Sequence, residues 1–275
     1  MASEAWKILT SFRGSTSQVQ GWLDDMDCFV FHALLNFQSK NFITGDLLEI
    51  GVYQGKSAIL LGLHLQDIEK LHVCDIFDNQ TDEANEKEIK KSYPQFSLSM
   101  FLKNYTNVIS TPPNVYSCAS SELAKLLPDA DFRFIHIDGS HLYQHVSQDL
   151  ALAATLLASG QGIVVVDDFR AEHAIGVSCA MWEIITEHGL KPLIFTKSKA
   201  YLVPPNSSLT TLIVSQVLDE HSIDYELVGF KEYGALRVLK LNNPLRKPSK
   251  ELVKILIPPF MITMFRAIKR VNFTW

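Results

Sequence analysis

Short apolar runs alternate with segments of helical period along most of this chain. Runs rich in β-branched residues predict buried strands at 46–53, 71–77, 114–120, 132–137 and 162–166, and residues 190–203 have the pattern of a hairpin. Residues 16–39 carry apolar side chains at spacings of three and four, which predicts an amphipathic helix. Strands that alternate with helices in this order predict an α/β fold with a doubly wound, mostly parallel sheet.

The same pattern suggests three parts. Residues 1–205 form the main domain with an N-terminal helical segment, residues 206–243 form a small α+β appendage, and residues 244–275 form a basic amphipathic tail. Residues 78–106 interrupt the alternation with a charged stretch and then an aromatic one. They are either two ordinary helices or a lid over the ligand site.

Net charge and cysteine content indicate which partners the chain binds and in which cellular compartment it works. The net charge of −5 combines a tail of +6 with a body of −11, which argues against nucleic acid as a partner of the body. Four cysteines without CxxC spacing favour reduced thiols and a cytoplasmic location, and neither a signal peptide nor a membrane-spanning run is visible. The tail either docks on protein, including another subunit of a homo-oligomer, or makes a peripheral membrane contact.

Acidic residues follow two of the predicted strands directly. Asp138 follows 132–137, and Asp167 with Asp168 follows 162–166. The carboxyl ends of parallel strands meet at one edge of a sheet, where open α/β sheets bind their ligands. Three carboxylates gathered there repel one another unless they share a cation or a proton. The alternative is that Asp138 and Asp168 only cap helices.

A glycine turn follows the first strand. Gly51 and Gly55 allow a tight backbone turn, and Asp75, at the end of the next strand, can accept hydrogen bonds from a ribose diol. The GxGxxG pattern of dinucleotide sites is missing, and Glu49 would repel a pyrophosphate. An acid beside the turn suits the sulfonium and ammonium of S-adenosyl-L-methionine instead.

Four segments together resemble a known family. DLLEIGVYQGKSA, VCDIF, FIHIDGSHLYQHVSQDL and GIVVVDDF resemble class I S-adenosylmethionine-dependent methyltransferases, and more narrowly the macrocin-type sugar O-methyltransferases, over about residues 20–203. The resemblance implies a Rossmann-like, seven-stranded sheet with an antiparallel last strand and helices on both faces. It implies S-adenosyl-L-methionine as cofactor and this set of binding residues: Glu49, Gly51, Tyr53, Gly55, Ser57, Asp75, Ser120 and Asp138. Ser120 matches a position near the adenine, and Cys-Ala-Ser stands at 118–120 where relatives often have an acid.

The resemblance also implies a metal and a base. Asp138, Asp167 and Asp168 match acids that bind Mg²⁺ in relatives, and His141 matches a general base that deprotonates the acceptor hydroxyl. Imidazole suits that task near neutral pH. Two further histidines, His136 and His145, are expected to be structural, and Asp24, Asp25 and Asp27 are expected to form a solvated first helical turn.

The sequence therefore predicts an O-methyltransferase that uses a divalent metal and a small-molecule acceptor, a sugar moiety or another natural product. Methyl transfer from sulfonium to oxygen would be a direct SN2 displacement. A metal-independent methyltransferase and a non-catalytic nucleoside-binding or scaffold domain are the alternatives. A nicotinamide dehydrogenase is disfavoured by Glu49 and by the missing Gly-x-Gly.

Overall fold

The structure is a computed structural model that describes residues 2–79, 86–87, 93, 97–127, 131–158, 160–230 and 233–241. The two interpretations of the tail at 244–275 lie outside the described residues. Residues 78–106 are predicted to form either two helices or a lid; their end is helical at Leu98–Thr106, and most of 80–96 also lies outside the described residues.

Eight α-helices and nine strands have their bounds within the described residues, and a short 3₁₀ helix spans Ser120–Glu122. The helices are α1 Ala2–Ser15, α2 Asp25–Lys40, α3 Lys56–Gly62, α4 Leu98–Thr106, α5 Leu123–Leu126, α6 Tyr143–Leu156, α7 Ile175–Glu187 and α8 Thr211–Glu220. The strands are β1 Asp46–Ile50, β2 Leu71–Asp75, β3 Asn114–Ser117, β4 Phe132–Ile137, β5 Ile163–Val166, β6 Lys191–Phe195, β7 Ala200–Val203, β8 Ile223–Phe230 and β9 Tyr233–Leu241.

All nine strands belong to one sheet in the order β3-β2-β1-β4-β5-β7-β6-β9-β8. Strands β1 to β5 are parallel, and β7 enters antiparallel between β5 and β6. The α/β, mostly parallel fold is confirmed, but the predicted number of seven strands is wrong. The β8–β9 hairpin of the appendage continues the sheet through parallel pairing of β9 with β6, at Ile194 and Leu236. This pairing covers a sheet edge that would otherwise expose backbone hydrogen-bonding groups.

Helices pack on both faces of the sheet, as predicted. One core contains residues of α1, α2, α3, α4 and α8, and the other contains residues of α5, α6 and α7. None of the helices in the described ranges is long and apolar enough to cross a membrane. The four cysteines are free thiols, and Cys28 and Cys74 are buried.

The start of α2 differs from its predicted form. Asp24 caps the helix by accepting a hydrogen bond from the Met26 amide at 2.8 Å, and Asp25 pairs with Arg13. For Asp27 the prediction of a solvated position is wrong, because its side chain is fully buried. The first turn of α2 packs under the β6–β7 hairpin, where Asp27 accepts hydrogen bonds from the Tyr201 hydroxyl at 2.8 Å and the Ser198 hydroxyl at 3.2 Å.

Candidate active site

The glycine turn after β1 is shaped by the neighbouring strand. Gly51 has a φ of +83°, and a Cβ added there would lie 2.2 Å from the carbonyl oxygen of Asp138. The Gly51 amide also donates to the carbonyl of Cys74 at 2.8 Å. Only glycine fits this crossing of β1, β2 and β4.

Asp75 organises the same turn from the end of β2. One carboxylate oxygen accepts hydrogen bonds from the amides of Val52 at 2.7 Å and Tyr53 at 3.2 Å, and the other accepts from Ile76 at 2.8 Å. Burial raises the pKa of Asp75 to about 6, while these backbone N–H groups act in the opposite direction. Tyr53 adopts a φ of +46°, which is uncommon for a residue with a side chain and is typical of functional turns.

A cavity of about 670 Å³ lies above the carboxyl ends of β1, β4 and β5. This volume is in the usual range for small-molecule sites. It is lined by Gln20, Gly21, Trp22, Leu23, Asp24, Gly51, Val52, Tyr53, Lys56, Ser57, Tyr93, Asp138, His141, Asp167, Asp168, His173, Lys197, Ser198 and Lys199.

Two of the three acids at the floor of this cavity pair with protein side chains. Asp167 forms an ion pair with the ammonium of Lys199, and its other oxygen accepts a hydrogen bond from the Asp168 amide at 2.8 Å. Asp168 has a φ of +54°, and its carboxylate lies 3.1 Å from Nε2 of His141. Asp138 donates its amide to the carbonyl of Ile50 at 2.8 Å, which fixes the end of β4 beside the glycine turn.

The ionisation of the three acids follows from these contacts. Burial raises the pKa of Asp138 well above its usual value, and the nearby charge of Asp167 adds to the effect. The hydrogen bond from His141 lowers the pKa of Asp168. Burial alone would raise the pKa of Asp167, but the Lys199 ammonium outweighs it and leaves that pKa below its usual value.

Three buried polar side chains form a hydrogen-bonded chain beneath the cavity. The Lys199 ammonium donates to Nε2 of His136 at 3.0 Å, so that nitrogen is the acceptor and Nδ1 carries the imidazole proton. Nδ1 in turn lies 2.8 Å from Oε1 of Glu49. All three side chains are at most 1% exposed, and burial raises the pKa of Glu49 to about 8. His136 therefore links the first strand to the β6–β7 hairpin.

Three aromatic rings form one wall of the cavity. The Trp22 ring stacks on Tyr53 with centroids 6.0 Å apart, and Tyr93 meets both rings edge-on at 5.8 Å and 5.3 Å. Trp22 remains 69% exposed, so an indole face is available at the mouth of the cavity. This aromatic wall, defined as Trp22, Tyr53 and Tyr93, faces the cavity from the side of the glycine turn.

The segment before α2 is fastened to that turn. The Lys56 ammonium donates to the carbonyl of Gly21 at 2.7 Å, and the Tyr53 hydroxyl donates to the side chain of Gln20 at 3.0 Å. The amide of Gln20 donates to the side chain of Gln54 at 3.1 Å. The aromatic wall and the glycine turn are therefore one connected unit.

Most of the residues predicted from sequence meet at this cavity. Gly51, Tyr53, Ser57, Asp138, His141, Asp167 and Asp168 line it. The other four predicted residues do not line it. Glu49 is fully buried beneath the cavity, and Asp75 supports the glycine turn. Gly55 caps the start of α3 next to the Phe101 ring, and the Ser120 side chain hydrogen bonds to Asp149. The roles assigned to all eleven residues, in cofactor binding, metal binding or catalysis, stay predictions.

Sequence reasoning missed Lys199, His173 and Trp22. The sequence places Lys199 only within the predicted hairpin at 190–203, and its pairing with Asp167 depends on the position of β7 beside β5. His173 lies in the loop after β5, with its ring centroid 5.3 Å from that of His141. The only sequence signal for Trp22 was its place among the apolar positions of a helix that in fact begins three residues later, at Asp25.

Two groups in the described part of the chain bring three ligand atoms within 4.8 Å of one another: His141 with Asp168 and His173, and Glu49 with His136 and Asp138. Neither is the all-carboxylate set that the resemblance implies for Mg²⁺. Mg²⁺ requires hard oxygen ligands in a near-ideal octahedron. Because the ammonium of Lys199 already places a positive charge on Asp167, which a divalent ion would have to displace, the three acids as arranged here do not fit that ion.

Comparisons with known proteins agree with this architecture. Residues 48–169, somewhat under half of the chain, match a family model described as a methyltransferase domain. No curated protein matches the chain significantly.

Two solved structures share the fold. The O-methyltransferase NovP is 16% identical with a TM-score of 0.50, over 65% of this chain and 80% of NovP. Cofactor-bound Rv0187 from MTB is 13% identical with a TM-score of 0.50, over 74% of this chain and 91% of that protein. At these identities the likeness concerns the fold. The family match and the sheet together show that residues 48–169 form a methyltransferase domain on a mostly parallel α/β sheet.

Proposed function

We propose that this chain transfers a methyl group from S-adenosyl-L-methionine to a hydroxyl of a small, ring-containing acceptor, a sugar moiety or another natural product. The observation that carries the proposal is the pair His141–Asp168, at 3.1 Å, in a cavity that also contains the glycine turn and the aromatic wall. A donor site, a base and a ring-binding surface are thus within one volume.

The residues around the turn fit the methyl donor. Gly51, Tyr53, Gly55 and Ser57 would hold its amino-acid part, Asp75 its ribose, and Ser120 would lie toward the adenine, with Glu49 supporting the turn from below. When bound, the cofactor supplies an electrophilic methyl group on a sulfonium. The negative charge of Asp168 at the acidic edge favours such a cation, and Asp138 beside the glycine turn stays a predicted cofactor-binding residue.

His141 is proposed as the general base. Asp168 accepts a hydrogen bond from Nε2, which orients the ring, and Nδ1 would take the acceptor's proton. A carboxylate that holds a histidine in one tautomer also stabilises the imidazolium formed by proton transfer. Asp168 is then a positioning residue for the base.

The aromatic wall supports a ring-shaped acceptor. An exposed indole face binds the C–H face of a sugar or an aryl ring, while charged and amide groups around the cavity can hydrogen bond its hydroxyls. Twelve of the nineteen lining residues are polar or charged, which favours a polyhydroxylated ring over a purely apolar one.

The Mg²⁺ dependence implied by the resemblance stays a prediction, and the pairing of Asp167 with Lys199 favours the metal-independent alternative. A cytoplasmic location, a homo-oligomer and peripheral membrane contact through 244–275 are likewise predictions.

Methyl-labelled S-adenosyl-L-methionine and a panel of glycosides and phenols test the proposal. We expect label in an alkali-stable O-methyl ether. His141→Asn should lower kcat about 10²- to 10⁴-fold, the usual contribution of a general base, with cofactor affinity unchanged. The matched control His145→Asn, whose ring bonds Ser140 at 3.0 Å, should keep near-normal turnover. Label on nitrogen or carbon, or full activity in His141→Asn, would contradict the proposal.

A further inference from the structure

Lys199 is an ammonium buried among carboxylates. Its side chain is 1% exposed and lies between Asp167, which it pairs with directly, and His136 at 3.0 Å. Asp27 and Asp138 also act on it electrostatically. A buried lysine is very costly unless it is paired, so this position is one that the surrounding acids stabilise.

The backbone holds Lys199 in this position. The β6–β7 turn is closed by hydrogen bonds from the Thr196 amide to the Lys199 carbonyl at 2.9 Å and from the Lys199 amide to the Thr196 hydroxyl at 3.0 Å. The amide of Phe169, just after the acidic pair, donates to the carbonyl of Ser198 at 3.2 Å. The hairpin turn and the end of β5 are therefore tied together, and the ammonium is aimed at Asp167.

The contacts of Asp167 continue to the candidate base. One oxygen pairs with Lys199, and the other accepts the amide of Asp168, whose carboxylate holds His141 at 3.1 Å. A cation on Asp167 thus fixes the residue that orients His141. A divalent ion on the same carboxylate would meet the charge of Lys199 at close range and would have to displace it.

We propose that Lys199 is the resident cation of the acidic edge, standing where a divalent metal would otherwise be required, and that it positions Asp167, Asp168 and His141 without added metal. The inference rests on the proposed function only in treating this edge as the methyl-transfer site. The positive charge that three clustered acids need is then supplied by the chain itself.

Binding of Mn²⁺ alone, followed by electron paramagnetic resonance on the full chain, tests the inference. The unaltered protein should leave the free Mn²⁺ signal nearly undiminished. Lys199→Met removes the charge but keeps the length of the side chain, and it should bind Mn²⁺ at least about tenfold more tightly, because Asp167 and its neighbours then lack a counter-ion. Lys199→Arg should behave as the unaltered protein does.

Lys197→Met is the matched control, since Lys197 lies in the same turn, lines the cavity and is exposed. It changes net charge equally and should gain no Mn²⁺ binding. Equal Mn²⁺ binding by the unaltered protein and Lys199→Met, whether tight or absent, overturns the inference. If Lys199→Met does not fold, as judged by thermal melting, Lys199→Gln carries the same comparison. A parallel titration with S-adenosyl-L-methionine tests the proposed function separately. If the cofactor does not bind, the proposed function is contradicted, but the Mn²⁺ comparison still tests the role of Lys199.

Discussion

Asp149 is a buried carboxylate on α6, 2% exposed, and its Oδ1 has no hydrogen-bond partner within the described ranges. Burial raises its pKa from 3.8 to about 6, with a hydrogen bond from Ser120 opposing the shift. Because the folded-state pKa is the higher one, the protonated form is favoured by folding. Stability from this group is full below the unfolded pKa and is lost as pH rises through about 6.

We therefore predict that Asp149→Asn is more stable than the unaltered chain at pH 8, by roughly 2 to 3 kcal/mol at most for a shift of this size. The difference should shrink toward zero near pH 4. Urea unfolding of both proteins at the two pH values measures it. A variant that is less stable at pH 8, or a difference that does not change with pH, would show that Asp149 is ionised without penalty.

The sequence predicts the positions of residues that directly follow a strand. It does not predict the positions of residues that are fixed by contacts with distant parts of the chain. Asp138, Asp167 and Asp168 follow buried strands, so their meeting at one edge follows from parallel pairing alone. Asp27 had the sequence context of a solvated helix start. Its burial depends on Tyr201, 174 residues away, and no local pattern encodes that contact.

At the scale of elements, the extended segment before α2 connects the aromatic wall to the glycine turn. It carries Trp22 of the aromatic wall and is bonded to the glycine turn through Gln20 and Gly21. The predicted helix at 16–39 was correct only from Asp25 onward. Trp22 and Leu23, just before Asp25, line the cavity, so the apolar spacing there does not reflect a helix.

Trp22→Ala should weaken binding of a ring-containing acceptor about tenfold, since one aromatic stacking contact contributes roughly 0.5 to 1.5 kcal/mol beyond burial. The affinity for S-adenosyl-L-methionine should change little. Steady-state KM for an acceptor from the glycoside and phenol panel, and calorimetry for the cofactor, separate the two. Trp182→Ala, an indole on α7 that is 41% exposed and does not line the cavity, is the control. An unchanged KM in Trp22→Ala would remove the aromatic wall from the acceptor site.

At the scale of the whole molecule, the appendage is part of the sheet. Val214 and Leu218 of α8, Ile223 of β8 and Leu236 of β9 belong to the same core as the N-terminal helices. The sequence could not reveal this, because two short strands after a helix are equally compatible with a separate unit. β9 pairs with a strand that is distant in the sequence, β6, so local sequence patterns do not predict this pairing.

A chain ending at residue 205 should consequently be unstable. It would expose the edge of β6 and the apolar surface that α8 covers, and it should aggregate or melt well below the full chain. Thermal melting and size-exclusion chromatography measure this. A monodisperse 1–205 fragment with an unchanged melting temperature would instead support an independent appendage.

Calorimetric titration of the full chain tests most directly whether the glycine turn and the acidic edge bind a sulfonium methyl donor. S-adenosyl-L-methionine should bind at one site per chain, and Asp75→Ala should abolish most of that binding, because Asp75 shapes the turn and is the residue proposed to bind the ribose. NAD should not bind. Binding of NAD in preference to S-adenosyl-L-methionine, or no binding of the methyl donor at all, would contradict the account.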